Sequence, residues 1–469
     1  MIKELKPGRT MNMKNRSISG LIKSLPVLTL IWLMTPGTGS GQTVPGGKTS
    51  FSLSEAQAYA VEHNLKVENA RLDVEAARQR IRENAASGLP QISASASYTN
   101  NLQLMTTLIP AEFFGGEPGT YFPVKFGTQH NATANVIANQ LLFNGPYIVG
   151  LQAASTYRDL TLKTLEKQEA DIREAVAQSY YSVLLSESSR DAFGKNLQTM
   201  KERLEETKAM FKAGFLEETD VDQIQIAVSN LENEYLAAEQ LVRISYRYLV
   251  YRMGDDLDSN IVITENLKDI IGGLTGDLIE QDFNVNKHYD YRILNTQEKL
   301  AMLQVRMNRF EYMPSLSASL NHQEMAMRNK FNFADPNEEW YPATTFGINL
   351  SVPIFSSGMR RAKIGQSEID LEKTRNQKKD LVSALELQVQ QARMDFRTSY
   401  RKYLNQRSNI ELAQKIFDRM TVKYQHGLAS SLDMTLATEQ ITTAQTGYIS
   451  AMVELLNAKL ALDKALGNL

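Results

Sequence analysis

Tyr424-Gln425-His426-Gly427-Leu428-Ala429-Ser430-Ser431-Leu432-Asp433 is a single-glycine break between two long stretches whose apolar residues recur alternately three and four positions apart. Upstream, Leu385, Val389, Ala392, Phe396, Tyr403, Ile410, Ala413, Phe417, Met420 and Tyr424 hold one heptad seam, interrupted by polar Ser399 and Gln406. Downstream it resumes as Met434, Ala437, Ile441, Ala444, Tyr448, Ala451, Leu455, Ala458, Leu462 and Ala465. The stretch therefore reads as the tip of a helical hairpin. Gly427 supplies the left-handed residue that ends one helix. Ser430 and Asp433 have the spacing of a capping box that opens the next.

The same tip occurs earlier, as Phe211-Lys212-Ala213-Gly214 followed by Thr219-Asp220-Val221, and 427 − 214 = 213. That shift takes Asp220 to Asp433, Phe211 to Tyr424 and Gly254 to Gly467. Shifting the downstream seam back lands on Val221, Ile224, Val228, Leu231, Tyr235, Ala238, Val242 and Leu249. An internal duplication covers most of the chain.

Away from the helical seams the period changes to two. After Leu89-Pro90, Ile92, Ala94, Ala96 and Tyr98 alternate with Ser93, Ser95, Ser97 and Thr99, which fits a strand with one apolar and one polar face. A Gly- and aromatic-rich loop follows, then a second alternating run from Asn131 to Leu142, so that 91–142 reads as a β-hairpin. Pro314-Ser315-Leu316-Ser317-Ala318-Ser319 repeats the first strand, and 315–352 reads as the second hairpin. The first hairpin is longer than the second by 11 residues, since 145 − 90 = 55 and 358 − 314 = 44. The insertion falls in the loop, where it is tolerated.

The expected order is thus a leader over 1–41, a first repeat over 42–254, a connector over 255–285 and a second repeat over 286–469. Each repeat holds a helix, a β-hairpin and a long helical hairpin. A capping box, Ser52-Leu53-Ser54-Glu55, opens one helical stretch with Ala56, Ala60, Leu65, Val67, Ala70, Val74, Ala77 and Ile81, which Leu89-Pro90 ends. The leader has the form of an export signal: Lys14, Arg16 and Lys23 precede an apolar run over Leu25 to Met34, followed by small residues up to Gly41. Its loss removes six Lys/Arg and one Glu, moving the formal charge from −2 to 45 − 52 = −7. A mildly acidic chain is a poor partner for nucleic acid. Cysteine is absent, which excludes disulfides and thiol chemistry. The five histidines lie far apart, and no Ser/His/Asp, metal or phosphate-loop arrangement is visible, so neither an enzyme nor a metal or cofactor site is expected.

Strands of about ten residues with one apolar face fit an outer-membrane barrel, and a soluble sandwich shows the same alternation; the export signal and the lack of a long apolar helical stretch favour the barrel. Four strands cannot close one, and open edges are not tolerated in lipid. Several chains must then share a barrel, and three would give twelve strands. A periplasmic or surface coiled-coil structural or adaptor protein without a channel is the alternative, but an adaptor would show one hairpin and an adhesin no helix-to-strand prolines.

At this point the residues resemble the TolC-like outer-membrane efflux protein family over nearly the whole mature chain. The resemblance rests on Leu53-Ser54-Glu55-Ala56, Leu89-Pro90, Met313-Pro314, Leu142-Phe143-Asn144-Gly145, Val352-Pro353-Ile354-Phe355, the tip glycines, and Ala465-Leu466-Gly467. It implies a mainly α chain whose helical hairpins build an α-barrel, with four strands contributing to a shared twelve-stranded β-barrel. It also implies a homotrimer in the Gram-negative outer membrane that extends into the periplasm. The partners implied are membrane lipid, a periplasmic adaptor and an inner-membrane pump of RND or ABC type. Adaptor docking carries over to Gly214, Phe215 and Leu216, and to Gly427, Leu428 and Ala429. An aspartate ring at the periplasmic entrance carries over to Asp433, and a Tyr-to-Asp contact that holds it shut to Tyr424 and Asp220. Two departures stand out: a tip arginine of the best-known member falls on Ala429, and its second ring aspartate on Leu436.

Overall fold

A computed structural model describes residues 50–272 and 281–469. The expected export signal over 1–41, and the connector glycines Gly273 and Gly276, lie outside the described residues.

The described residues begin with β1 (Ser50–Phe51), α1 (Leu53–His63) and α2 (Leu65–Ala86). The expected capping box is formed, with Glu55 accepting from the Ser52 N–H at 2.9 Å. One helical stretch was expected to follow, and instead the chain breaks at Asn64. This residue closes α1 and caps α2, accepting from the Lys66 N–H at 2.9 Å and donating from its amide to the Arg252 carbonyl at 2.9 Å. A Cβ on Gly254 would sit 2.7 Å from the Asn64 Cα, so the glycine admits this close approach as well as ending its own helix.

The first strand pair follows as β2 (Gln91–Asn100) and β5 (His130–Phe143), with β3 (Thr106–Pro110) and β4 (Tyr121–Lys125) between them. The presumed loop thus contains a hairpin of its own. Next come α3 (Gly145–Lys212) and α4 (Glu218–Met253). At 68 residues α3 is about 100 Å long. The connector contributes β6 (Val262–Ile263), which pairs in parallel with β1, and α5 (Leu267–Gly272). The second repeat is α6 (Tyr289–Phe310), β7 (Ser315–Arg328), β8 (Tyr341–Ser351), α7 (Met359–Gln425) and α8 (Ser431–Leu466).

The four long strands make one antiparallel sheet in the order β2-β5-β7-β8, leaving β2 and β8 as free edges. Register places Ile92, Ala94, Ala96 and Tyr98 across from Ala138, Val136, Ala134 and Ala132. Leu316, Ala318 and Leu320 stand across from Leu350, Ile348 and Phe346 on that same face. The opposite face is mostly Ser, Thr and Asn. Among the described residues no helix covers the apolar face: Ile92, Phe346, Ile348 and Leu350 are all more than 60% exposed in the single chain.

The helices bury their seams instead. One core cluster packs α1, α3, α4, α5, α7 and α8 around Tyr180, Phe396, Leu455 and Leu462, and the second lies nearer the tips around Met200, Ile224, Met434 and Ile441. Each large side chain so buried stabilises the fold by about 1.5–3 kcal/mol. Between the clusters the packing is polar. Asn196 donates to Thr442 Oγ1 at 3.0 Å and Gln445 Oε1 at 2.7 Å, and Gln406 lies where Gly447 leaves room for it. Gln406 lies beside this layer and accepts from Asn409 of its own helix at 3.4 Å. Tyr180 of α3 ties the connector to the first strand, donating its hydroxyl to the Phe51 carbonyl at 3.2 Å and accepting from the Glu265 N–H at 3.4 Å, and Lys464 holds α8 to Asp171 on α3 at 3.0 Å.

Candidate functional site

The two tips lie at the ends of the longest helices, and each turns on a glycine in the left-handed region, Gly214 at φ 81° and Gly427 at φ 70°. Nothing stands within 4 Å of a Cβ at either position, so the backbone angle selects glycine, not space. Each helix then closes in the same way. Phe215 donates its N–H to the Met210 carbonyl at 3.0 Å, and Leu428 donates to Lys423 at 2.8 Å. These bonds turn the next side chain outward, leaving Phe215 81% and Leu428 76% exposed. Leu216 and Ala429, one residue further on, are half-buried.

Asp433 sits at the third position of α8 and is engaged by its own cap. Its Oδ2 accepts from the Ser430 N–H at 2.9 Å and the Ser430 hydroxyl at 2.7 Å, while Ser430 Oγ accepts from the Asp433 N–H at 3.1 Å. The Ser430 N–H and then its hydroxyl hold the carboxyl below its usual range. Leu432 and Leu436 flank it on α8, each about half exposed. Asp220 starts α4 in the same manner, accepting from the Glu217 N–H at 3.1 Å through Oδ2.

Tyr424 and Asp220 come to the same corner, but no direct bond joins them, contrary to the contact that the resemblance implies. Counting hydroxyl protons explains the arrangement. Thr207 gives its proton to the Arg203 carbonyl at 2.8 Å, so across the 2.5 Å contact with Thr207 Oγ1 it is the Tyr424 hydroxyl that donates. Ser431 gives its proton to Asp220 Oδ1 at 2.8 Å, which leaves none for the 3.5 Å gap between Tyr424 and Ser431. The first hairpin is therefore held to the second by two separate ties: Tyr424 to Thr207, and Ser431 to Asp220. Thr207 and Ser431 escape a reading by period because each is a small polar residue on a helix. The one available signal is the doublet Ser430-Ser431, of which a cap needs only the first.

The outer membrane efflux protein family profile matches residues 58–254 and 295–468, one segment in each copy of the duplication. The chain belongs to the outer membrane efflux protein family. Nodulation protein T of Rhizobium leguminosarum bv. trifolii is 22% identical over 439 residues, covering 91% of this chain and 88% of that protein. Among solved structures, the outer membrane protein VceC of Vibrio cholerae aligns with a TM-score of 0.67 at 16% identity, over 88% of this chain and 96% of that one. The CmeC outer membrane channel of Campylobacter jejuni aligns at 0.69 and 15%, over 89% and 85%. This family member is an outer-membrane efflux channel component, with strands that form a β-barrel and helices that form an α-barrel reaching into the periplasm.

Proposed function

We propose that three copies of this chain assemble into one exit duct, docked through its helical tips to a periplasmic adaptor that delivers substrate from an inner-membrane pump. The observation that carries the reading is the uncovered sheet. It has an apolar face, a polar face and two unpaired edges, which lipid forbids unless β8 of one copy meets β2 of the next. Uncovered stripes on the helices support it: Ile226, Leu236 and Tyr248 on α4, and Leu387, Met394 and Leu404 on α7, are 44–67% exposed. Such stripes are what neighbouring subunits bury. The protein acts as a conduit and not as a catalyst. Purified from membranes, it should migrate as a heat-dissociable trimer and open channels in a planar bilayer. A water-soluble monomer without bilayer affinity would overturn the reading.

At the tips, Gly214, Phe215 and Leu216 and Gly427, Leu428 and Ala429 meet the adaptor. Phe215 and Leu428 are anchors, since a bare aromatic or aliphatic side chain beside a rigid turn is what a partner's pocket takes. Replacing Gly427 by Trp should abolish adaptor cross-linking, and unchanged capture would remove the tips from the docking surface. Asp433, with Asp220 and Tyr424, forms the periplasmic gate. Asp433 repeats around the axis and concentrates a field that favours cations. Tyr424 and Asp220 act through their separate partners Thr207 and Ser431, which must let go for the second hairpin to swing from the first. Asp433→Asn channels should lose cation preference and cation block, and unaltered selectivity would reject the ring.

A further inference from the structure

The two excursions at the end of the sheet away from the helices are built differently. Residues 329–340, between β7 and β8, fold back on their own sheet. The buried Arg328 guanidinium donates to the carbonyls of Asn332, Glu338 and Glu339 and lies 5.3 Å over the Phe333 ring. Phe331 and Phe333 pack edge-on against Tyr98, at 5.5 and 5.8 Å between ring centroids.

Residues 101–129, between β2 and β5, are tied to their neighbour at the base, where the Gln129 N–H donates to Asn329 Oδ1 at 3.4 Å, and hold no buried arginine anchor like Arg328. Their β3–β4 hairpin pairs from Thr106 opposite Lys125 to Pro110 opposite Tyr121, and makes at most marginal contact with the other helices and strands of the described chain. A lone two-stranded hairpin is marginal in water. This one is also apolar on the outside: Leu102, Met105, Leu108, Phe113, Phe114 and Tyr121 are 61–89% exposed. Something must cover it.

Three features point to further copies of the hairpin itself as the cover. The hairpin grows from β2, a free edge of the sheet, so its base lies on the seam between subunits in a closed barrel. Twelve strands about 4.8 Å apart and tilted about 40° enclose a radius of roughly 12 Å. The five residues of β3 span about 17 Å, enough to reach the axis. Finally, the segment carries only Glu112, Glu117 and Lys125, so three copies meet with little repulsion. The same composition lacks the clustered Lys and Arg that a phosphate-rich leaflet would attract.

We propose that the apolar β3–β4 hairpins of three subunits pack against one another over the extracellular mouth and close it as a lid. The proposal rests on the trimeric duct above. Because the chain has no cysteine, Phe113→Cys introduces a single thiol at the hairpin tip. In oxidised membranes of cells expressing F113C, a dimer-sized band should form on denaturing gels, while Thr128→Cys at the hairpin base should give none. The double variant Phe113→Asp, Phe114→Asp should raise single-channel conductance about two-fold or more, as a constriction is lost. A heat-dissociable F113C trimer without cross-link, together with unchanged conductance of the double variant, would overturn the lid and leave the duct standing. Loss of the trimer from the unsubstituted protein would overturn both. Phe113→Trp fluorescence quenched by brominated lipid would make the leaflet the cover and also overturn the lid.

Discussion

The four-stranded sheet and the α7–α8 hairpin bury their surfaces at different levels of organisation. Both are written in a simple apolar period, two in the strands and three to four in the helices. In the hairpin the backbone groups pair within their own helix except at the capped ends, and the seam from Leu385 to Tyr424 meets helices of the same chain, leaving Phe396 1% and Tyr424 3% exposed. In the sheet the backbone groups of β2 and β8 face outward unpaired, and Ile348 and Phe346 are bare. Period alone does not say whether a surface is buried in the chain, by another copy or by lipid. Between its capped ends a helix meets its own hydrogen bonds, and a strand never does.

Substitutions on adjacent residues sharpen this contrast most. Ile348→Arg places a charge on the apolar face and should cost about 2–4 kcal/mol per subunit near the bilayer midplane, borne three times in a trimer. Asn349→Arg, on the opposite face, should insert normally. Yields of heat-dissociable trimer in outer-membrane fractions report both, and equal tolerance would break the assignment of the apolar face to lipid. In the helical body, Phe396→Ala should cost about 3–5 kcal/mol wherever the protein is dissolved, because its cavity lies within one chain. Thermal unfolding of the helical signal in two detergents measures it, and a cost that vanishes in one would mean that the seam faces solvent.

Smaller effects distinguish the two ties at the tips. Tyr424→Phe removes the proton donated to Thr207 and should weaken the closed tip by about 1 kcal/mol, seen as a raised open probability in single-channel records. Ser431→Ala should act additively with it, since the two ties share no proton, and a strong non-additivity would mean that they form one network. The smallest effect concerns Asp433. Its carboxyl is held low by the Ser430 N–H and hydroxyl, so its contribution to the start of α8 is present above its unfolded value of about 4. That contribution is lost as pH falls through the lowered value. Amide exchange over the first turn of α8 should therefore quicken only in acid below about pH 4, and Asp433→Asn should remove that dependence.

The helical hairpins were legible because each seam position could be checked against its neighbour three or four residues away. The tips were legible for the same reason: glycine, serine and aspartate act within a few residues of themselves. The break at Asn64 was not, because the carbonyl that its amide bonds is on Arg252, far along the chain. Nor was the β3–β4 hairpin, where Pro110, Pro123 and paired glycines look like plain loop. The duplication also misleads about side chains. Tyr424 and Phe211 are equivalent in sequence, yet the tyrosine is buried against Thr207 while the phenylalanine is 41% exposed.

By itself, then, the order of residues determined the periods, the duplication and the glycine turns, since each follows from contacts within a short segment. Tertiary structure alone decided which hydroxyl donates to which acceptor at the tips, where Asn64 divides a helix, and that Tyr424 serves Thr207 rather than Asp220. Those outcomes depend on single protons shared between residues some two hundred positions apart, and a periodic pattern holds no record of such pairings.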